Sequence, residues 1–365
     1  MRLLFFARQH FFLFQFLGFF LMLLVKNTCM AQTLIPLNLP DTVAITNNLK
    51  LNAVSFRGLY VLNKNTFWCS GSKGVVGMSN DKGAHIAYKQ LEKYVQSDFR
   101  DLHVFNEKTI LLSSAGFPAR IIKSTDAGKS WIEVFSSNDS AVFIDGIDFY
   151  GKKGLMLSDP IQGKFMVYVT ENKGNTWHLL DTALAPKVPQ GESAFAASGS
   201  SIQWIDNNSF AFVSGGVQSN LYCYHFRTKE WRVLHLPIIQ GASAQGAFSF
   251  CKIKKQGISY LAIVGGDYTN DTLTQLSTGF CLVQMKPLMV KQVANQLPYQ
   301  SSVIELSPNR LLTTGSNGTG TIYTNNKAIS LGNLMKPGFH VAAKSKDGKL
   351  IILAGSKGRI SLFCN

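Results

Sequence analysis

Residues 97–131 read SDFRDLHVFNEKTILLSSAGFPARIIKSTDAGKSW, and the fold follows from how that stretch is built. FRDLHVF is a strand-like segment that ends at the polar turn NEK. ILLSSAGF, from Ile110, is an apolar run closing on Ser and Gly, and RIIKS then leads into Ser124-Thr-Asp126-Ala-Gly128-Lys-Ser130-Trp131. Short runs of β-branched and aromatic residues bounded by Asn, Ser and Gly are strands joined by tight turns. The apolar run recurs as FWCSGSKG from Phe67, GLMLSDPIQG from Gly154, FAFVSGGVQS from Phe210, LAIVGGDYTN from Leu261, LLTTGSNGTG from Leu311 and LIILAGSKGR from Leu350. Each copy follows a strand-like segment such as FRGLYVLNKN or SSIQWIDNNS, and precedes another such as KFMVYVT or RISLFC.

Seven copies spaced roughly 40 to 50 residues apart match four-stranded propeller blades and not the repeat of a helical solenoid. The expected fold class is all-β, a single seven-bladed β-propeller. The last copy stops at Cys364 after its third strand, so a segment near the N-terminus must complete it. Thr33–Leu39 and Thr42–Leu49 are the two candidates. Closure matters because an open ring would expose two unpaired strand edges. The only helix-period candidate after the N-terminal region is 87–96.

Composition agrees: 46% apolar and 16% charged residues exclude a disordered chain or a coiled coil. The N-terminus carries Arg2, an apolar run from Phe11 to Val25 and then Met30-Ala31-Gln32, the order of a secretory signal peptide. The run is shorter than the roughly 20 residues a spanning helix needs. Residues 1–31 are therefore expected to be a signal peptide and 32–365 the propeller, with the mature chain periplasmic, outer-membrane-associated or extracellular. The remaining cysteines, Cys69, Cys223, Cys251, Cys281 and Cys364, are widely spaced in apolar runs and suggest neither a zinc site nor a disulfide scaffold. The net charge of +15 is mostly dispersed lysine, as in KIKK from Lys252 and KSKDGK from Lys344, without the interleaved aromatics of a nucleic-acid groove. No cofactor motif, metal-ligand cluster or nucleic-acid partner is expected, and the chain is expected to be a monomer.

Two turns fit the pattern S/T-x-D/N-x-G-x-S/T-W: Ser124, Asp126, Gly128 and Trp131 in one, and Thr170, Asn172, Gly174 and Trp177 in the other. Ser79-Asn-Asp81-Lys-Gly83 is a weaker copy in which His85-Ile86 replaces the Ser/Thr-Trp pair, and Trp231 marks an eroded one. The side-chain oxygen accepts backbone N–H groups, Gly takes positive φ and Trp packs between sheets, so these residues are expected to hold turns and not to catalyse.

The motif resembles the Asp-box (BNR) repeats of sialidase-like propellers. A closer resemblance is to the photosystem II stability and assembly factor family and its exported relatives in non-photosynthetic bacteria. It is carried by SFRGLYVLNKNTFWCSGSKGVVG from Ser55, SDFRDLHVF from Ser97, GLMLSDPIQGKF from Gly154 and GESAFAASGSS from Gly191. The resemblance implies a seven-bladed propeller acting as a non-enzymatic, protein-binding assembly or stability platform in the cell envelope.

Aligning the first strands puts Arg57, Arg100 and Asp145 at one step of three successive blades, with Glu192 before the fourth blade, Gln300 before the sixth and His340 before the seventh. Arg57, Arg100, Asp145 and Glu192 are the candidate ligand-binding residues at the channel mouth, for a protein client or an acidic glycan. The opposing expectation is an internal Arg100–Asp145 or Arg57–Glu192 network, because a buried arginine needs a partner. A sialidase-like hydrolase at the same mouth is the alternative function. It would need a third inner arginine, which neither Arg310, in an SPNR turn, nor Arg359 supplies, and no catalytic residue is assigned.

Overall fold

The computed structural model describes residues 32–274, 278–325 and 328–364, and the expected signal peptide lies outside them. Seven antiparallel blades of four strands form the ring, and blade 5 is extended by two short strands, Glu192–Ser193 and Gly215–Gly216. Blade 1 starts with Phe56–Val61, blade 2 with Asp98–Val104, blade 3 with Ile144–Tyr150 and blade 4 with Ile202–Asp206. Blade 5 starts with Gln245–Lys255, blade 6 with Ser302–Ser307 and blade 7 with Val341–Lys344.

The recurring apolar runs are the second strands. Phe67–Gly71 and Ile110–Ala115 are buried at every position, because neighbouring blades cover both faces of these strands. Outermost strands such as Leu288–Asn295 alternate between exposed and covered residues, the pattern of a sheet edge with one dry face. The core is therefore a circle of inter-blade layers. In one of them Phe165 stacks edge-on to Phe212 and Tyr222 at 4.9 and 5.2 Å.

The ring closes as expected: Thr33–Pro36 pairs antiparallel with Ile360–Cys364, Thr33 facing Cys364 and Pro36 facing Ser361. The other candidate segment makes a small hairpin, Ala44–Thr46 with Leu49–Lys50, whose Leu49 and Leu51 pack into the layer between blades 7 and 1. The helix-period stretch does not form a helix. Ala87–Gln90 is the fourth strand of blade 1, paired with Val75–Ser79, and Glu92–Tyr94 is a single 3-10 turn. Completion of the blade overrides the local pattern, because blade 1 would otherwise lack its outer strand and Tyr88 would lose its stack on Phe56 at 6.1 Å. Cys69, Cys251 and Cys281 are buried as small apolar residues.

Candidate functional site

The first strands of blades 1, 2, 3 and 5 share one irregularity. Their register against the second strand slips between Phe56 and Gly58, Phe99 and Asp101, Ile144 and Gly146, and Ala247 and Ser249. The extra residue in each bulge is Arg57, Arg100, Asp145 and Phe248. A bulge leaves one residue out of the ladder and re-aims its side chain. Three of the four, Arg57, Arg100 and Phe248, line a cavity of about 480 Å³ at this end of the channel, together with His340.

The two arginines are unequally satisfied. Arg100 Nε donates to Asp98 Oδ2 at 2.7 Å, and its guanidinium lies 6.0 Å from the centre of the Phe143 ring. Arg57 donates only a long bond, 3.4 Å, to the Ala197 carbonyl, and no carboxylate pairs with it among the described residues. Burial lowers its pKa, and the like charge of Arg100 lowers it further. Burial, with Arg57 next in weight, holds His340 down at about 3, so its imidazole is neutral at ordinary pH.

A second wall is aromatic. Phe195 and Phe248 stack at 3.9 Å with their planes 13° apart, and Tyr299 meets Phe248 edge-on at 4.9 Å. Tyr268, half exposed, completes the rim at 6.1 Å from Phe248. The sequence reading missed these rings. Phe248 was detectable, since in AFSFCKI it occupies the step that Arg57 and Arg100 occupy in FRGL and FRDL; Tyr268 lies in the recurring copy LAIVGGDYTN, and Phe195 and Tyr299 come from connecting segments with no repeat register.

The floor is the segment 194–201, AFAASGSS, which enters the ring before blade 4 and crosses the channel. Ala197 meets Arg57 of blade 1. The Ser198 hydroxyl donates to the Ser301 carbonyl beside blade 6 at 2.7 Å, and Ser200 and Ser249 of blade 5 share a hydroxyl bond of 2.6 Å. Gly199 holds φ +70° against the Asp101 carboxylate of blade 2, where a Cβ would sit 2.2 Å from Oδ1. Ala194–Ala197 line the mouth cavity, whereas Ser198–Ser200 line a second cavity of about 590 Å³ at the other end. The segment therefore plugs the channel.

Asp145 and Glu192 do not join the arginines at the cavity surface. Asp145 is fully buried, neither carboxylate oxygen has a hydrogen-bond partner among the described residues, and burial, reinforced by Asp159, pushes its pKa well up against the opposing charge of Arg100. Glu192 pairs in a short strand with Gly216, and its Oε1 accepts from Asn220 Nδ2 at 3.0 Å, Tyr222 Oη at 2.8 Å and the Ser214 hydroxyl. Neither expected ion pair forms: Arg100 takes Asp98, and Glu192 takes neutral partners. Gln300 is likewise buried, its Oε1 accepting from the Thr313 hydroxyl at 3.1 Å.

The conspicuous turns lie at the other end of the blades. Gly128 N donates to Ser124 Oγ at 2.9 Å, Ser130 N to Asp126 Oδ1 at 2.9 Å, and Trp131 Nε1 to the Gly128 carbonyl at 3.2 Å, with Gly128 at φ +79°. The hydrogen bonds from Ser130 lead those that hold the Asp126 carboxyl down at about 2. In the second turn Gly174 N donates to Thr170 Oγ1 at 3.1 Å and Thr176 N to Asn172 Oδ1 at 3.0 Å, while Trp177 meets Phe149 edge-on at 5.8 Å. The copy that departs from the pattern folds the same way: Gly83 N donates to Ser79 Oγ at 2.9 Å, and His85 supplies both its N–H and its ring to Asp81.

No protein-family model matches the chain, and no curated protein matches it in sequence. Solved structures do match in fold. A structure of YCF48 bound to D1 peptide superposes with a TM-score of 0.61 at 12% identity, covering 92% of this chain and 97% of that one. YCF48 from Cyanidioschyzon merolae gives 0.58 at 13% identity over 91% and 98%. The Pan2 WD40 domain of Neurospora crassa gives 0.61 at 10% identity over 91% and 94%. At these identities the likeness establishes the β-propeller fold.

Proposed function

We propose that the chain is an exported, non-enzymatic platform that binds a protein client in the cell envelope, with the mouth cavity as its recognition site and Arg57 and Arg100 as the groups that take an anionic part of the client. The observation that carries this reading is Arg57, a desolvated arginine held by a bulge in an open cavity without a carboxylate partner among the described residues. Such a charge is costly unless something pairs with it. A bound carboxylate would accept charge-assisted hydrogen bonds there. One of the fold relatives, YCF48, has been solved with a bound D1 peptide, which shows that this architecture can take a polypeptide.

Glu192 supports the site from behind by holding the entry to blade 4 through Ser214, Asn220 and Tyr222, whereas Asp145 lies buried behind the wall and takes no part in the site. The hydrolase alternative is weaker on the same geometry: among the described residues, Arg57 and Arg100 are the only arginines lining the cavity and no Asp or Glu lines it. Hydrolysis of a glycoside requires a pair of groups flanking the bond, commonly carboxylates.

The test is affinity capture with the full chain from its own envelope, comparing wild type with the Arg57→Ala/Arg100→Ala variant. A polypeptide held by the wild type and lost from a variant of unchanged melting temperature supports the reading. Equal capture by both, or turnover of a carboxylated sugar by the wild type alone, overturns it.

A further inference from the structure

The mouth cavity has two chemically distinct walls over a closed floor, and these limit what can enter. The bulges of blades 1 and 2 supply the cationic wall. Phe195, Phe248, Tyr268 and Tyr299 supply an aromatic wall facing the same space. The plug at 194–201 prevents a strand of ligand from threading into the channel. About 480 Å³ lies within the roughly 300–1,000 Å³ of small-ligand pockets, enough for a few side chains but too little for a folded surface.

From these walls we infer that the cavity receives the C-terminal residue of a polypeptide, its free α-carboxylate on Arg57 and Arg100 and a large apolar, preferably aromatic, side chain against Phe195, Phe248 and Tyr268. This rests on the platform reading above and narrows its ligand class. A chain terminus places a carboxylate and a side chain on one carbon, which suits adjacent cationic and aromatic walls. It also ends where a blind pocket ends. Planar guanidinium groups suit the two oxygens of a carboxylate, whose binding offsets the desolvation that Arg57 already carries. The aromatic wall adds burial of an apolar side chain, worth about tenfold to a hundredfold in affinity for a large one. An acidic glycan would meet the same two walls with its carboxylate and the C–H face of a sugar ring, and the oligosaccharides in the test separate the two ligands.

The test measures binding of the full chain to three degenerate peptide pools that differ only at the last residue: Phe as the free acid, Phe as the amide and Ala as the free acid. The free-acid Phe pool should bind at least about tenfold more tightly than either other pool. Arg57→Ala should abolish the preference for acid over amide. Tyr268→Ala, on the half-exposed rim where it leaves the core intact, should narrow the preference for Phe over Ala while sparing the preference for acid.

Arginine-dependent binding of all three pools alike would overturn the terminal-residue inference and leave the platform reading standing, with an internal acidic segment as ligand. Absence of arginine-dependent binding to any pool, with binding of sialyl or uronic oligosaccharides in its place, would remove both.

Discussion

The two ends of the channel are both lined by charged groups and differ in one respect: at the mouth Arg100 is paired with Asp98, but Arg57 is paired with no carboxylate among the described residues. At the far end Asp101 accepts the Leu102 and Ile147 N–H groups, each at 2.7 Å, and Asp148 accepts the Trp204 N–H at 2.7 Å. Lys252 donates to the Trp204 carbonyl at 2.7 Å. Hydrogen bonds there cross from blade to blade and tie the ring together. At the mouth, Arg57 faces open space and a second cation, and the carboxylate near it, Asp98, is ion-paired to Arg100 instead. Polar groups that find partners inside a fold hold it, and a charge left without one beside an open cavity is a candidate for binding something else.

The largest effect that would break this contrast is on binding. Replacing Arg57 and Arg100 together with Ala should weaken client affinity by about a hundredfold or more, the scale of losing buried charge-assisted contacts, with no comparable loss of stability. Titration calorimetry beside a urea melt checks both halves. The next effect is on the plug between the two ends. Gly199→Ala forces a Cβ into the Asp101 carboxylate at a positive φ, and should cost about 2–4 kcal/mol in urea unfolding.

At the turns the contrast predicts the reverse of the arginine result. Trp131→Ala should lower stability by about 2 kcal/mol, since the ring is half-buried beside the Ile122 and Trp68 layer, and leave client affinity unchanged. Asp126→Ala should do the same by a smaller amount. Either variant losing binding at full stability would show that the turns recognise a ligand.

The smallest effect is a pH dependence at the far end. Burial pushes the Asp101 carboxyl up to about 7, against about 3.9 in an unfolded chain. The folded state therefore holds the proton more tightly, so the contribution of Asp101 to stability is full below about pH 4 and declines as pH rises to 7. Relative to Asp101→Asn, the wild type should lose stability across that window in a pH series of urea melts.

How legible each part was in the sequence follows from the same physics. The blades were readable because each second strand is covered on both faces and must be continuously apolar, as in ILLSSA and LIILA. Closure was readable as a missing strand, although choosing Thr33–Pro36 over the following segment required the paired register. Arg57 and Arg100 were readable as one repeated step. Asp145 shares that step but is buried behind the cavity wall, because side-chain depth depends on neighbouring loops that carry no periodicity. The plug was not legible, since nothing in GESAFAASGSS marks a segment that crosses a channel. His85 shows the converse: the turn around Asp81 survives the loss of its usual partners because a ring nitrogen supplies the same hydrogen bond.

The most direct test of the central claim needs no ligand: the urea-unfolding free energy of Arg57→Met in the full chain. If Arg57 is kept for binding, removing its desolvated charge while keeping an apolar stem should leave stability equal to or above that of the wild type. A loss of about 2 kcal/mol or more would make Arg57 part of the framework and contradict the assignment of the mouth as a recognition site.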